Sequence, residues 1–163
     1  MRCLIPRLPI LVAISSSCSA APPAPVTPER HFVNSPVAAV FSQAMAVMAE
    51  WNLPVIHSDR DAGVITSDEF VLGGGNKFLG QSADYWANCG STLSISRAAS
   101  ADEFRIRVSV ILRSVEGDST AVNIQSSFSA YQKGAIGADR TTCASRGRLE
   151  AQLIDELRRR LGS

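Results

Sequence analysis

The stretch Phe104-Arg105-Ile106-Arg107-Val108-Ser109-Val110-Ile111-Leu112-Arg113 decides how this chain folds. Phe104, Ile106, Val108, Val110 and Leu112 fall on one side of an extended backbone. Arg105, Arg107, Ser109 and Arg113 fall on the other, with Ile111 the one exception. A strict period of two marks a strand with one buried and one wet face. Downstream, Glu116-Gly117-Asp118 has turn composition, and Val122, Ile124 and Phe128 then continue the buried side. Asn123, Gln125 and Ser127 continue the wet side. Upstream, Leu93 and Ile95 alternate with serines before a turn at 98–102. Three antiparallel strands follow, covered on one face and solvated on the other.

The covering layer is legible at both ends of this meander. Ser35-Pro36 has the composition of a helix start, serine as cap and proline in the first turn. Val37, Val40, Phe41, Ala44, Met48 and Trp51 form an apolar stripe at three- and four-residue steps, as far as about Glu50. Asn52-Leu53-Pro54 ends it. Residues 54–58 and 64–67 read as a hairpin around the turn Asp59-Arg60-Asp61-Ala62-Gly63. A last helix from about Ser145 carries Leu149, Leu153, Ile154, Leu157 and Leu161, with Gly162 placed to stop it. Arg158, Arg159 and Arg160 sit in its last turn, where cations suit the helix dipole. Residues 131–140 read as a glycine-containing loop. Residues 68–90 have no clean period, which marks a functional loop or an element hidden from pattern. The expectation is an α+β two-layer sandwich of order α-β-β-β-β-β-α. Its mostly antiparallel sheet has about five strands, with two helices on one face.

The first residues are of a different kind. Met1 to Arg7 carries two arginines and no acid, Leu8 to Ile14 is a short apolar run, and small residues follow. That order describes a secretory signal over residues 1–20, too short and too proline-broken to span a bilayer. Ser16 and Ser17 precede Cys18 as small residues precede the lipidated cysteine of a bacterial lipoprotein, although Ser15 stands where leucine is usual. Lipidation of Cys18 is the favoured outcome; cleavage after Ala20 with loss of Cys18 is the alternative. Four prolines between Ala21 and Pro28 make residues 21–31 a semi-rigid tether, and residues 32–163 a single domain.

Composition narrows function. The 163 residues hold 16 basic and 15 acidic side chains, a net charge of +1, without the basic excess that would argue for a nucleic-acid binder. Without Arg2 and Arg7 the balance is 14 basic to 15 acidic. Of the four cysteines, Cys89 and Cys143 alone fall in the folded part. In an exported chain that pattern indicates one disulfide, since neither lies in a CxxC pair and a thiol nucleophile would need His31 or His57 beside it.

Pro36 to Asp68 (PVAAVFSQAMAVMAEWNLPVIHSDRDAGVITSD) is similar to the opening of small Gram-negative outer-membrane lipoprotein domains, including BamC-type (NlpB) helix-grip modules. The CGS at Cys89 and CASRGRLE at Cys143 resemble the cysteine-bearing segments of envelope lipoproteins with that layout. The resemblance implies an accessory or scaffolding role at the outer membrane and carries over no catalytic residue.

Other chemistry finds little support. Gly73-Gly74-Gly75-Asn76-Lys77 lacks the GK[ST] ending of a phosphate loop. His57, Asp59 and Asp61 surround a tight turn in which aspartate is the ordinary residue. Asp68-Glu69 is an adjacent carboxylate pair whose facing the sequence does not show. No catalytic residue, metal or cofactor is expected. Two candidate contact surfaces stand out. One is the wet sheet face, where Arg105, Arg107 and Arg113 stand among Ser94, Ser96, Asn123, Gln125 and Ser127, chemistry suited to carboxylate or phosphate groups. The other is the segment bearing Phe78, Leu79, Tyr85 and Trp86, for which a satellite core under the loop is the favoured reading and a partner anchor the alternative. The expected function is that of an exported, lipid-anchored periplasmic domain. It would act without catalysis as an accessory of an outer-membrane assembly or secretion complex. The alternative is a periplasmic binding module that grips an anionic envelope ligand through the arginine-bearing face.

Overall fold

A computed structural model of the chain describes residues 30–92, 95–134 and 137–162. The expected signal peptide, Cys18 and the expected tether up to residue 29 lie outside the described residues, as do Leu93 and Ser94. The chain runs β1 (Arg30–Val33), α1 (Val37–Glu50), β2 (Val55–Asp59), β3 (Val64–Ser67), β4 (Phe70–Gly73) and α2 (Ala83–Trp86). It continues β5 (Ala87–Asn88), β6 (Ser91–Thr92), β7 (Ile95–Ser96), β8 (Glu103–Val115), β9 (Ser119–Gly134), β10 (Gly137–Ser145) and α3 (Arg148–Leu161). The architecture is α+β, built on a large antiparallel sheet.

The 104–113 alternation is the centre of that sheet. β8 pairs with β9 along its whole length, from Glu103↔Tyr131 to Val115↔Ser119, around the Glu116-Gly117-Asp118 turn. Phe104, Ile106, Val108, Val110 and Leu112 are buried, together with Val122, Ile124 and Phe128 of β9. α1 and α3 pack on each other and on these two strands. Val40, Phe41, Ala44, Val47 and Met48 of α1, with Leu149, Leu153, Ile154 and Leu157 of α3, close the core. Burying side chains of this size stabilises by roughly 1.5–3 kcal/mol each.

Five strands is too few. The sheet has eight, ordered β2-β3-β8-β9-β10-β5, with β1 also on β9 and β4 also on β8. The two central strands are 13 and 16 residues long, so each carries two shorter strands end to end along its outer side. At the step from β3 to β4 the Val108 N–H would lose its partner; the buried Ser67 hydroxyl accepts it at 2.9 Å. Residues 131–134 and 137–140 are strand and not loop, because β9 runs on to Gly134 and β10 returns beside it. Nor does the 91–96 segment join the meander; β6 and β7 pair only with each other, and β3 and β4 take the place beside β8. The 68–90 segment holds β4, α2 and β5.

Smaller boundaries move as well. Arg30 and His31, assigned to the tether, are ordered in β1 against Asn123 and Val122. Pro36, not Ser35, occupies the helix-cap position of α1 without a side-chain cap bond. The Ser35 carbonyl instead accepts the buried Thr120 hydroxyl at 2.7 Å. α3 starts at Arg148, and Ser145 is the last residue of β10. At the far end Gly162 takes φ 68° as expected. Cys89 and Cys143 are joined, Cα atoms 4.2 Å apart, beside the short β5–β10 pairing.

Candidate functional site

Among the described residues no helix covers the second face of the sheet. Register places Val71, Arg105, Ser129 and Thr142 in one row across β4, β8, β9 and β10. Glu103, Tyr131 and Arg140 form the row on one side, and Arg107 with Ser127 that on the other. Further along, Arg113, Ala121 and Phe32 make a row that ends on β1. Phe32 is 56% exposed and Val71 47%, two large apolar side chains open on this face.

The arginines are not a bare cationic patch. Arg105 donates to Glu69 and to Glu103, each at 3.0 Å, and its guanidinium lies 4.6 Å from the Tyr131 ring centre. Arg140 donates to the other oxygen of Glu69 at 3.1 Å and also lies over Tyr131, 5.9 Å away. Arg107 stands 4.0 Å from Asp68, a looser pair. The hydrogen bond from Arg105, reinforced by the charges of Arg140, Arg105 and Arg107, holds the Glu69 carboxyl below the ordinary carboxylate range against partial burial. Glu103 and Glu69 in turn hold the Arg105 guanidinium protonated beyond its ordinary range. Between Arg105, Arg107 and Arg140 lies a cleft of about 80 Å³ with Glu69, Ser127, Ser129 and Thr142 among its lining residues. It suits a small polar group and no larger ligand.

Arg113 is separate from this cluster. It borders a wider, shallow groove of about 670 Å³ with Arg60, Asp61 and Val37 at the end of the sheet. So the three arginines expected to act together divide into Arg105 with Arg107, and Arg113 apart. Arg140, Tyr131 and Glu103 were missed by sequence reasoning, the first two because 131–140 reads as a loop. Extending the odd-numbered wet positions past Ser127 to Ser129 and Tyr131 would have found Tyr131.

Two of the four aromatic-segment side chains offered as a contact surface are interior, in keeping with the core reading of that segment. Phe78 and Trp86 are buried, 3% and 0% exposed, and their rings meet edge to face at 5.8 Å. The Trp86 indole N–H donates to the Phe78 carbonyl at 3.2 Å. Leu79 and Tyr85 are half-buried beside them, and Arg148 of α3 stacks on Tyr85 at 4.2 Å. Phe78 and Trp86 belong to the main core, with Leu79 and Tyr85 packed against it, and they join α2 to that core.

Among the described residues no group of three or more His, Cys, Asp or Glu side chains could hold a metal ion. Among them too, no helix is long and apolar enough to cross a membrane. No family model matches the chain, and no curated protein matches it. Among solved structures it is similar to a DUF4468 family protein from Bacteroides ovatus, at 11% identity and a TM-score of 0.34. That likeness covers 71% of this chain and 58% of the other, so the chain spans less than two thirds of that structure's length. Such a TM-score carries neither fold nor function across, and nothing in these comparisons links the chain to BamC-type lipoproteins.

Proposed function

We propose that this chain is an exported, lipid-anchored envelope domain without catalysis of its own, docking a partner protein of an outer-membrane complex through its uncovered sheet face. The observation that carries the reading is the character of that face. Its charges are largely paired within the chain, through Glu69, Glu103 and Asp68, while Phe32 and Val71 stand open. Pre-paired arginines beside exposed apolar side chains suit a protein interface, where unpaired buried charge is costly and aromatic and arginine anchors contribute most. The Cys89–Cys143 bond supports an oxidising compartment. The lipoprotein-like start and the resemblance over Pro36 to Asp68 support the envelope.

The test is site-specific photo-crosslinking in native membranes, with the probe at Phe32, Val71 or Arg113, and at Gln152 on the exposed side of α3 as control. A discrete partner should be captured from the three sheet positions and not from Gln152. Recovery of the chain alone from the sheet positions overturns the reading. The alternative, an anion-binding module, requires Arg105→Gln/Arg107→Gln to abolish ligand binding while partner capture persists.

A further inference from the structure

We infer that the cleft over Ser129, walled on one side by Glu69, is a carboxylate-binding site, and that a carboxylate brought by a partner takes over the arginines that Glu69 now pairs. The inference rests on the docking reading above and gives that surface its chemistry. Glu69 lies between β3 and β4, yet its carboxylate is shared by Arg105 of β8 and Arg140 of β10. Those strands are separated by β9, so their backbones stand roughly 10 Å apart. The Glu69 carboxylate between the two guanidiniums offsets the repulsion of their like charges. Tyr131 of β9 lies under both and presents its ring face to each.

The cleft has more recognition capacity than Glu69 uses. The Arg105 Nε is buried and has no hydrogen-bond partner. Arg107, a third cation on the lining, has only the looser Asp68 pair. The hydroxyls of Ser127 and Thr142 border the same space, and short side chains there leave it open. The backbone around Glu69 is held independently of its carboxylate, by the Asp68 N–H donating to the Pro54 carbonyl and the Glu69 N–H donating to the Asp68 carboxylate, so a change of side-chain rotamer would free both arginines without breaking a main-chain hydrogen bond. A planar carboxylate is the group this pair of guanidiniums already holds.

The test is calorimetric titration of the full chain at low ionic strength with three probes: citrate, a hexaglutamate peptide and inorganic phosphate. Glu69→Gln should bind hexaglutamate at least about tenfold more tightly than the wild type. Adding Arg140→Gln should remove that gain, and Asp155→Asn, which deletes the same charge on α3, should show none. Glu69→Asp, too short to span both arginines, should give a smaller gain and serves if Glu69→Gln unfolds. Tight binding of hexaglutamate alone assigns the site to an acidic protein segment; equal binding of citrate assigns it to carboxylates at large. Wild-type affinity in both Glu69 variants, a gain that survives Arg140→Gln, or phosphate binding as tight as citrate overturns the inference. Crosslinking from Phe32 and Val71 reads docking independently. If it persists while the titrations are flat, only the carboxylate site falls.

Discussion

Gly63 shows how one residue can hold two elements in place. It closes the 59–63 turn with φ 66°, and a Cβ added there would lie 2.4 Å from the Leu112 carbonyl oxygen. Its own carbonyl accepts the Leu112 N–H at 2.7 Å, so the turn is pressed against the end of β8. Gly63→Ala therefore meets both a left-handed backbone and a collision with main chain. A loss of more than about 2 kcal/mol is expected in urea unfolding; an unchanged midpoint would mean that the turn lifts off β8 freely. The turn was legible from its Asp and Gly content, but the contact with Leu112 was not, because the two residues are far apart in sequence. Phe78 and Trp86 teach the same lesson. Their apolar character was plain; whether they faced solvent or a core depended on where α3 lies.

At the scale of elements, α1 and α3 are joined at their C-terminal ends. Arg160 bonds Glu50 of α1 and, at 2.7 Å, Glu156 one turn before it on α3. The hydrogen bonds from Arg159 and Arg160 pull the Glu156 carboxyl down to about 2 from an ordinary 4.5. A folded value below the unfolded one contributes stability that is fully present above pH 4.5 and lost as pH falls towards 2. The groups are partly open to water, so the contribution is small and screened by salt. Arg160→Gln should accordingly unfold at higher pH than the wild type in an acid titration followed by circular dichroism. The difference should narrow below about pH 2 and in high salt. Identical acid curves would mean that the clamp contributes nothing. Both helices and the 55–67 hairpin could be read from sequence because each carries a full period or a turn signature. β4 and β10 could not. Phe70-Val71-Leu72-Gly73 is a bare apolar run, and the described side chains of β10 include only one buried apolar residue, Cys143.

For the molecule as a whole, the Cys89–Cys143 bond ties the segment after α2 to β10 and encloses a separation of 54 residues. On the chain-entropy account a loop of that length stabilises by about 4 kcal/mol. Cys89→Ser/Cys143→Ser should lose about that much in urea unfolding, and wild type with reductant should match it; a loss below about 1 kcal/mol would refute the assignment of a structural role. The amino-acid sequence by itself determined the α+β class, the apolar stripes of α1 and α3, the buried and wet sides of β8 and β9, and the pairing of the two cysteines. These follow from local periodicity and from counting, which need no knowledge of distant neighbours. Only the tertiary structure decided that eight strands share the sheet, that the aromatic segment is interior, and that Arg105 and Arg140 meet at Glu69 while Arg113 stands apart. The physical reason is that strand pairing and ion pairing are non-local. β8 and β9 are long enough to take two short strands apiece along their outer sides, and which segments dock there depends on hydrogen-bonding groups that every peptide unit possesses alike.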